Sequence, residues 1–231
     1  KEQFDQMRND NFQEYKDKFI IFWNNRNARR KMGASLILWF KDFLDKVGHD
    51  KAVLLMHTDP KDAAGSDLGE MVNMCGLNDG QVLFSKERLH PENLAALYGI
   101  VDCTINISDA EGFGLATLES LACGVPIIVN MTGGLQEQVT NGKDWFGIGI
   151  EPASKAIVGS QDVPFIYEDR LTGKDVTAAL EKMYNMTPEE ENYNFDSYIT
   201  TWDETLTKFH KEEGSWETRK RKQNWVLKEL L

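Results

Sequence analysis

The stretch Asp109-Ala110-Glu111-Gly112-Phe113-Gly114-Leu115-Ala116-Thr117-Leu118-Glu119 decides how this chain folds. Ahead of it runs Cys103-Thr104-Ile105-Asn106-Ile107, short, apolar and rich in β-branched residues, which reads as a buried strand. Behind it, Leu115, Leu118, Leu121 and Ala122 recur at helical spacing. The sequence therefore predicts a strand, a glycine-bearing turn and a helix from Gly114. Such a turn presents backbone N–H groups and the positive end of a helix dipole. Gly112 and Gly114 carry no side chain to hold a ligand away from those donors. An anion, phosphate above all, is expected at the start of this helix.

Working outward, two carboxylates stand at the turn. Glu111 lies in it and Glu119 lies in the second turn of the helix. Dipole compensation accounts poorly for Glu119, because that effect fades beyond the first turn. A carboxylate also accepts hydrogen bonds from a sugar diol, as ribose-binding acids do in dinucleotide folds. A phosphate flanked by two diol-binding carboxylates describes a nucleotide sugar. A glycoside hydrolase also uses two carboxylates, about 5–10 Å apart, but a phosphate-binding turn between them argues against that chemistry. Glu111 and Glu119, set in EGFGLATLESLACGVPIIV (residues 111–129), resemble the signature of retaining glycosyltransferases of the GT-B fold, family four.

The flanking chain alternates strands and helices. Phe19-Ile20-Ile21-Phe22-Trp23 is an uninterrupted apolar run, expected of a parallel strand buried on both faces. A basic loop follows, with Arg26, Arg29, Arg30 and Lys31. Met32, Leu36, Trp39, Phe40, Phe43, Leu44 and Val47 then mark one face of a helix closed by Gly48. Strands are expected at 52–56 and 82–84, and helices near 66–75 and from Pro91 to about Gly99. A turn at Gly124 leads to a strand through Val129, and Gly133-Gly134 opens a short helix. The economical architecture is α/β: a doubly wound, mainly parallel Rossmann-like sheet whose ligands bind at the strand C-termini. Residues 1–18 read as a linker or N-terminal helix, 19–185 as the Rossmann-like domain and 186–231 as a helical tail. Residues 151–172 read as an irregular excursion with a short strand at Phe165-Ile166-Tyr167, before a helix marked by Val176, Leu180, Met183 and Tyr184. Thr187-Pro188-Glu189-Glu190 has the form of a helix start.

Composition narrows the function. The 231 residues carry a net charge of −11, which argues against general nucleic-acid binding. Cys75, Cys103 and Cys123 fit neither a zinc site nor a disulfide framework. Cys103 and Cys123 lie in apolar runs and read as buried thiols, suited to a reducing cytoplasm. No apolar stretch is long enough for a transmembrane segment, and the N-terminus lacks a signal-peptide core. His57 and Asp59 are too few for a metal site. The run Arg219-Lys220-Arg221-Lys222 with Trp225 reads as a solvated helix face rather than a lipid or phosphate site.

The resemblance covers roughly residues 19–185 and is strongest at 102–139. It implies that Glu111 lies against the donor sugar's hydroxyls and Glu119 holds the ribose. Arg26 and Lys31 would contact the diphosphate, with Arg29 and Arg30 able to substitute. The Gly112, Phe113, Gly114 and Leu115 turn would receive the diphosphate on its backbone. Ser85 and Lys86 belong to the loop that lies along the base. Gly133 and Gly134, in a GG-x-x-E pattern ending at Glu137, permit close approach near the sugar. The family is typically metal-independent, and no cofactor is expected beyond a nucleotide-sugar donor, UDP- or GDP-linked, with a glycan or other hydroxyl as acceptor. The GT-B fold has a second, N-terminal domain that holds the acceptor. Only 18 residues precede the first donor-domain strand, so the acceptor domain is expected elsewhere, in the same or another chain. The alternative is a non-catalytic nucleotide or nucleotide-sugar binding module.

Overall fold

A computed structural model describes residues 2–186 of the chain. Six parallel strands form one sheet: β1 (Phe19–Asn24), β2 (Ala52–His57), β3 (Val82–Ser85), β4 (Cys103–Asn106), β5 (Ile127–Asn130) and β6 (Gly147–Ile150). Their spatial order is β3-β2-β1-β4-β5-β6. Order reverses between β1 and β4, where Ile21 faces Cys103 and Phe22 faces Thr104. In an open α/β sheet such a reversal marks the C-terminal edge of the strands as the expected ligand position. The Rossmann-like expectation is met, with every strand pair of this sheet parallel.

The apolar run of β1 is explained by its place at the centre. Ile21 and Trp23 enter one core with Leu36, Phe40, Phe43 and Leu44 of helix α2 (Gly33–Val47). Leu68 and Val72 of α3 (Leu68–Met74) and Val176, Leu180 and Met183 of α7 (Gly173–Tyr184) join them. Ile20 and Phe22 point the other way, into a core with Tyr98 of α4 (Pro91–Gly99) and with Ile100 and Val125. On that second face, Ile127 and Val129 of β5 pack with Leu121 of α5 (Leu115–Ala122) and Leu135 and Val139 of α6 (Leu135–Val139). A strand covered on both faces has no polar face to alternate with, so period-two patterning is absent from β1.

Three features refine the sequence reading. Residues Glu2–Asn11 form helix α1, and Arg8 fastens it to the sheet by donating to Asp102 Oδ1 at 3.0 Å and to the Ile100 carbonyl at 3.3 Å. Strand β6 carries glycine at alternate positions, Gly147 and Gly149, which hides its apolar pattern. A Cβ on Gly147 would stand 1.9 Å from the Ile127 carbonyl oxygen, so the neighbouring backbone selects glycine there. The excursion after β6 is an antiparallel hairpin of β7 (Ser154–Ile157) and β8 (Tyr167–Arg170). The strand expected at 165–167 is thus displaced toward Arg170, and its partner was not anticipated. Cys103 and Cys75 are buried, while Cys123 is only half-buried. The helix start at 187–190, the basic run at 219–222 and the rest of the expected tail lie outside the described residues.

Candidate functional site

Helix α5 has Gly114 at its N-cap, which adopts the left-handed conformation with φ 88° and leaves the helix without a side-chain cap. A Cβ there would meet Leu135 Cδ2 at 2.6 Å and Thr117 Oγ1 at 2.8 Å. Thr117 instead donates to the Gly114 carbonyl at 2.7 Å, and Gln138 donates to the same oxygen at 3.2 Å. A Cβ on Gly112 would meet nothing within 4 Å. The turn is therefore tightly held at Gly114 and open at Gly112. Phe113 and Leu115 stand exposed beside it, Leu115 at 62%. An uncapped helix start with an open glycine approach is suited to an anion.

The basic loop meets this turn. A 3-10 turn at Arg29–Lys31 lays its backbone against β4's exit, where the Arg30 carbonyl accepts from the Asp109 N–H at 2.8 Å. Lys31 pairs with Glu111 Oε2, both side chains 11% exposed. Burial lowers the Lys31 pKa, against the raising effect of Glu111. Arg30 Nη1 donates to the Ala110 carbonyl at 2.6 Å and lies 3.7 Å from Glu111 Oε2. Arg26 is elsewhere: it forms two hydrogen bonds to Asp62, 2.6 Å from Nε and 3.1 Å from Nη2, with its side chain 71% exposed. That pairing holds the Asp62 carboxyl down to about 2. Arg29 is committed to Glu168 of the hairpin. The structure thus brings Lys31 and Arg30 to Glu111, and leaves Arg26 and Arg29 on other carboxylates.

Glu119 lies in the second turn of α5. Its Oε2 accepts from the Tyr98 hydroxyl at 2.9 Å and lies 3.4 Å from Asn24 Nδ2, at the end of β1. Burial raises its pKa, and the Tyr98 bond pulls it down. Ser85 ends β3 and its Oγ lies 2.9 Å from His57 Nδ1; Lys86 is exposed beyond it. Burial lowers the His57 pKa. Gly133 and Gly134 face the turn itself: added Cβ atoms would stand 1.8 Å from the Glu111 carbonyl oxygen and 2.7 Å from that of Gly112. Those glycines let the β5 exit pack on the β4 exit. Glu137 is exposed in the first turn of α6, as suits a helix-start acid.

Sequence reasoning missed the residues that brace these groups. The hairpin crosses the exits of β4 and β5. The Asp169 N–H donates to the Asp109 carbonyl at 2.7 Å, Asn130 Nδ2 donates to the Asp169 carbonyl at 2.7 Å, and Thr132 Oγ1 donates to Asp169 Oδ2 at 2.8 Å. Arg170 donates to Glu168 at 2.7 Å and lies 3.6 Å from Asp109 Oδ2. A tyrosine on the apolar face of α4 was the one available signal for Tyr98. Among the described residues, no three His, Cys, Asp or Glu side chains group to hold a metal, and no helix is long and apolar enough to cross a membrane.

A doubly wound sheet with an uncapped helix start at its switch point defines a Rossmann-like binding domain. Residues 4–160 match the family model described as glycosyl transferases group 1, and the chain belongs to that family. The lipopolysaccharide core biosynthesis mannosyltransferase LpsB of Rhizobium meliloti is 36% identical over 91 residues, 39% of this chain and 25% of that protein. A D-inositol 3-phosphate glycosyltransferase of an Arthrobacter species is 27% identical over 113 residues, 49% of this chain and 26% of the relative. The matched stretches therefore span about a quarter of these relatives' lengths. Among solved structures, a glycosyltransferase from Rickettsia africae superposes with a TM-score of 0.62 at 18% identity, covering 99% of this chain and 52% of that one. An E. coli trehalose-6-phosphate structure bound with UDP-2-fluoro glucose gives 0.59 at 14% identity, covering 83% and 41%. Both show the shared fold.

Proposed function

We propose that this chain is the C-terminal, donor-binding domain of a retaining GT-B glycosyltransferase, taking a UDP- or GDP-linked sugar whose glycosyl group passes to a hydroxyl of a glycan or other acceptor. The observation that carries the reading is helix α5, with glycine at its N-cap and no side-chain cap, the Lys31–Glu111 pair in front of it and Glu119 held by Tyr98 in its second turn. Breaking a sugar–phosphate bond leaves negative charge on the nucleoside diphosphate. Fixed N–H groups and a buried cation stabilise that charge more in the transition state than in the ground state. In this reading the diphosphate lies on the backbone of Gly112, Phe113, Gly114 and Leu115. Lys31 supplies the cation, with Arg30 beside it and Arg26 joining once it leaves Asp62. Glu111 takes the sugar hydroxyls, Glu119 the ribose, and Ser85 and Lys86 border the base. Gly133 and Gly134 support the sugar end by letting the two turns meet.

The names of the sugar-transferring relatives, and the UDP-sugar analogue in the E. coli structure, support this class of donor. The acceptor domain is supplied by the same or another chain, and the protein works without a metal in the reducing cytoplasm. The test is calorimetry of the chain with UDP, GDP and ADP in EDTA. Binding of one or more is expected. No binding by any of them at millimolar concentration defeats the reading. Binding without transfer by the completed two-domain protein would favour a non-catalytic module instead.

A further inference from the structure

We infer that Tyr98 and Asn24 are positioning residues that hold Glu119 by one carboxylate oxygen and leave the other free for the ribose diol; this rests on the donor-site reading above. Tyr98 is fully buried in an otherwise apolar core. Its ring stands edge-on to Phe22, with centroids 5.0 Å apart and planes at 83°. Phenylalanine would fill that space equally well, so packing does not account for the hydroxyl. A buried hydroxyl must be satisfied, and this one has more partners than satisfaction requires. It accepts from Asn24 Nδ2 at 2.9 Å and has two acceptors for its single proton, Glu119 Oε2 and the Ala116 carbonyl, each at 2.9 Å. An ionised carboxylate wins that proton, because hydrogen bonds to charge are the stronger ones.

The consequence is directional. Both groups address Oε2 of Glu119, from two different elements: Tyr98 from α4 and Asn24 from the last residue of β1. Glu119 itself projects from α5, so the three groups tie together the elements that border the β1/β4 switch point. Diol recognition needs a carboxylate oxygen aimed outward from a fixed rotamer. A glutamate held at Oε2 presents Oε1 with its conformational freedom already removed. The other titratable group near Glu119 is Cys123, which caps the C-terminus of α5, a thiol pushed up to about 11 by burial and by the Glu119 charge. No salt-bridge partner of Glu119 appears among the described residues. The Tyr98 hydroxyl is therefore what favours its charged form.

The experiment is calorimetry of the full chain with UDP and GDP between pH 5 and 8, comparing wild type, Tyr98→Phe, Asn24→Ala and Glu119→Gln. Tyr98→Phe is expected to weaken binding about tenfold at neutral pH, the order of one hydrogen bond to a charged group. It should also move the acid limb of binding to higher pH, because the lost bond lowers the Glu119 pKa in the wild type. Glu119→Gln should lack that limb, while titration of the nucleotide phosphates is common to all four proteins. If Tyr98→Phe does not fold, Asn24→Ala removes the amide that donates to the Tyr98 hydroxyl and to Glu119 Oε2, and a shifted limb supports the inference. Wild-type affinity and an unmoved limb in whichever variant folds overturn the inference and leave the donor site standing. A loss of affinity with an unmoved limb reduces Tyr98 to packing and also overturns it. A wild type that binds neither nucleotide overturns the donor-site reading, and this inference with it.

Discussion

Asp109 shows how one side chain at this site acts on stability. It is 1% exposed, and burial pushes its carboxyl from 3.8 up to about 6 despite Arg170 nearby. A raised acid pKa means that the folded state binds the extra proton between those two values. Stability contributed by Asp109 therefore falls as pH rises from about 4 to about 6, then stays level. The thermal midpoint of wild type relative to Asp109→Asn should fall across that window and be flat above it. A gap that grows with rising pH would show that Arg170 outweighs burial. Glu111 and Glu119 should separate by ligand. Glu119→Ala is expected to weaken nucleoside diphosphate binding by about 1–3 kcal/mol. Glu111→Ala should barely change that binding but should remove the additional affinity for the intact nucleotide sugar. Equal losses for both ligands in both variants would refute the division of roles. These acids were legible in the sequence because Gly112 and Gly114 lie between them, in one short stretch. Their supports were not: Arg29 meets Glu168 across 139 positions and Tyr98 meets Glu119 across 21, separations that no local pattern records.

At the scale of elements, two glycines in one turn have different duties. Gly114 is required by conformation, with φ 88° and neighbours at 2.6 and 2.8 Å from any Cβ. Gly112 faces open space. Gly114→Ala should cost about 1–3 kcal/mol in urea unfolding, from left-handed strain and crowding against Leu135. Gly112→Ala should change stability by less than about 0.5 kcal/mol, yet weaken nucleoside diphosphate binding by placing a methyl group at the helix start. The reverse ranking in unfolding would contradict the geometry. Strong helix and strand signals were readable wherever an element buries a full apolar face, as in β1, α2 and α7. Strands β6 and β7 were not: alternating glycines mask one, and the other is a mostly exposed Ser-Lys-Ala-Ile segment whose pairing depends on β8.

For the whole molecule, the reading predicts an incomplete machine. Transfer needs the anomeric carbon and an acceptor hydroxyl in attacking geometry, with water excluded. Supplied with a labelled nucleotide sugar and glycan acceptors, these 231 residues alone should give at most slow hydrolysis. Adding an acceptor domain should restore transfer with retention at the anomeric centre. Robust acceptor-dependent turnover by the chain alone would overturn the half-enzyme reading. The strand order has a further consequence, in time rather than space. Strands β1, β2 and β3 are adjacent in sequence as well as in the sheet, whereas β4 reaches β1 with Phe22 opposite Thr104, far along the chain. Because closing a longer loop costs more entropy, local pairings are expected to form before distant ones. The Arg29–Lys31 turn thus belongs to the β3-β2-β1 half of the sheet, and its partners Asp109 and Glu111 are expected to meet it only when that half pairs with β4-β5-β6. A nucleoside diphosphate should consequently recognise nothing on the way up the folding barrier. Saturating nucleotide should slow unfolding and leave the refolding rate unchanged in stopped-flow measurements. Faster refolding would mean that β4 has already joined β1 when the barrier is crossed.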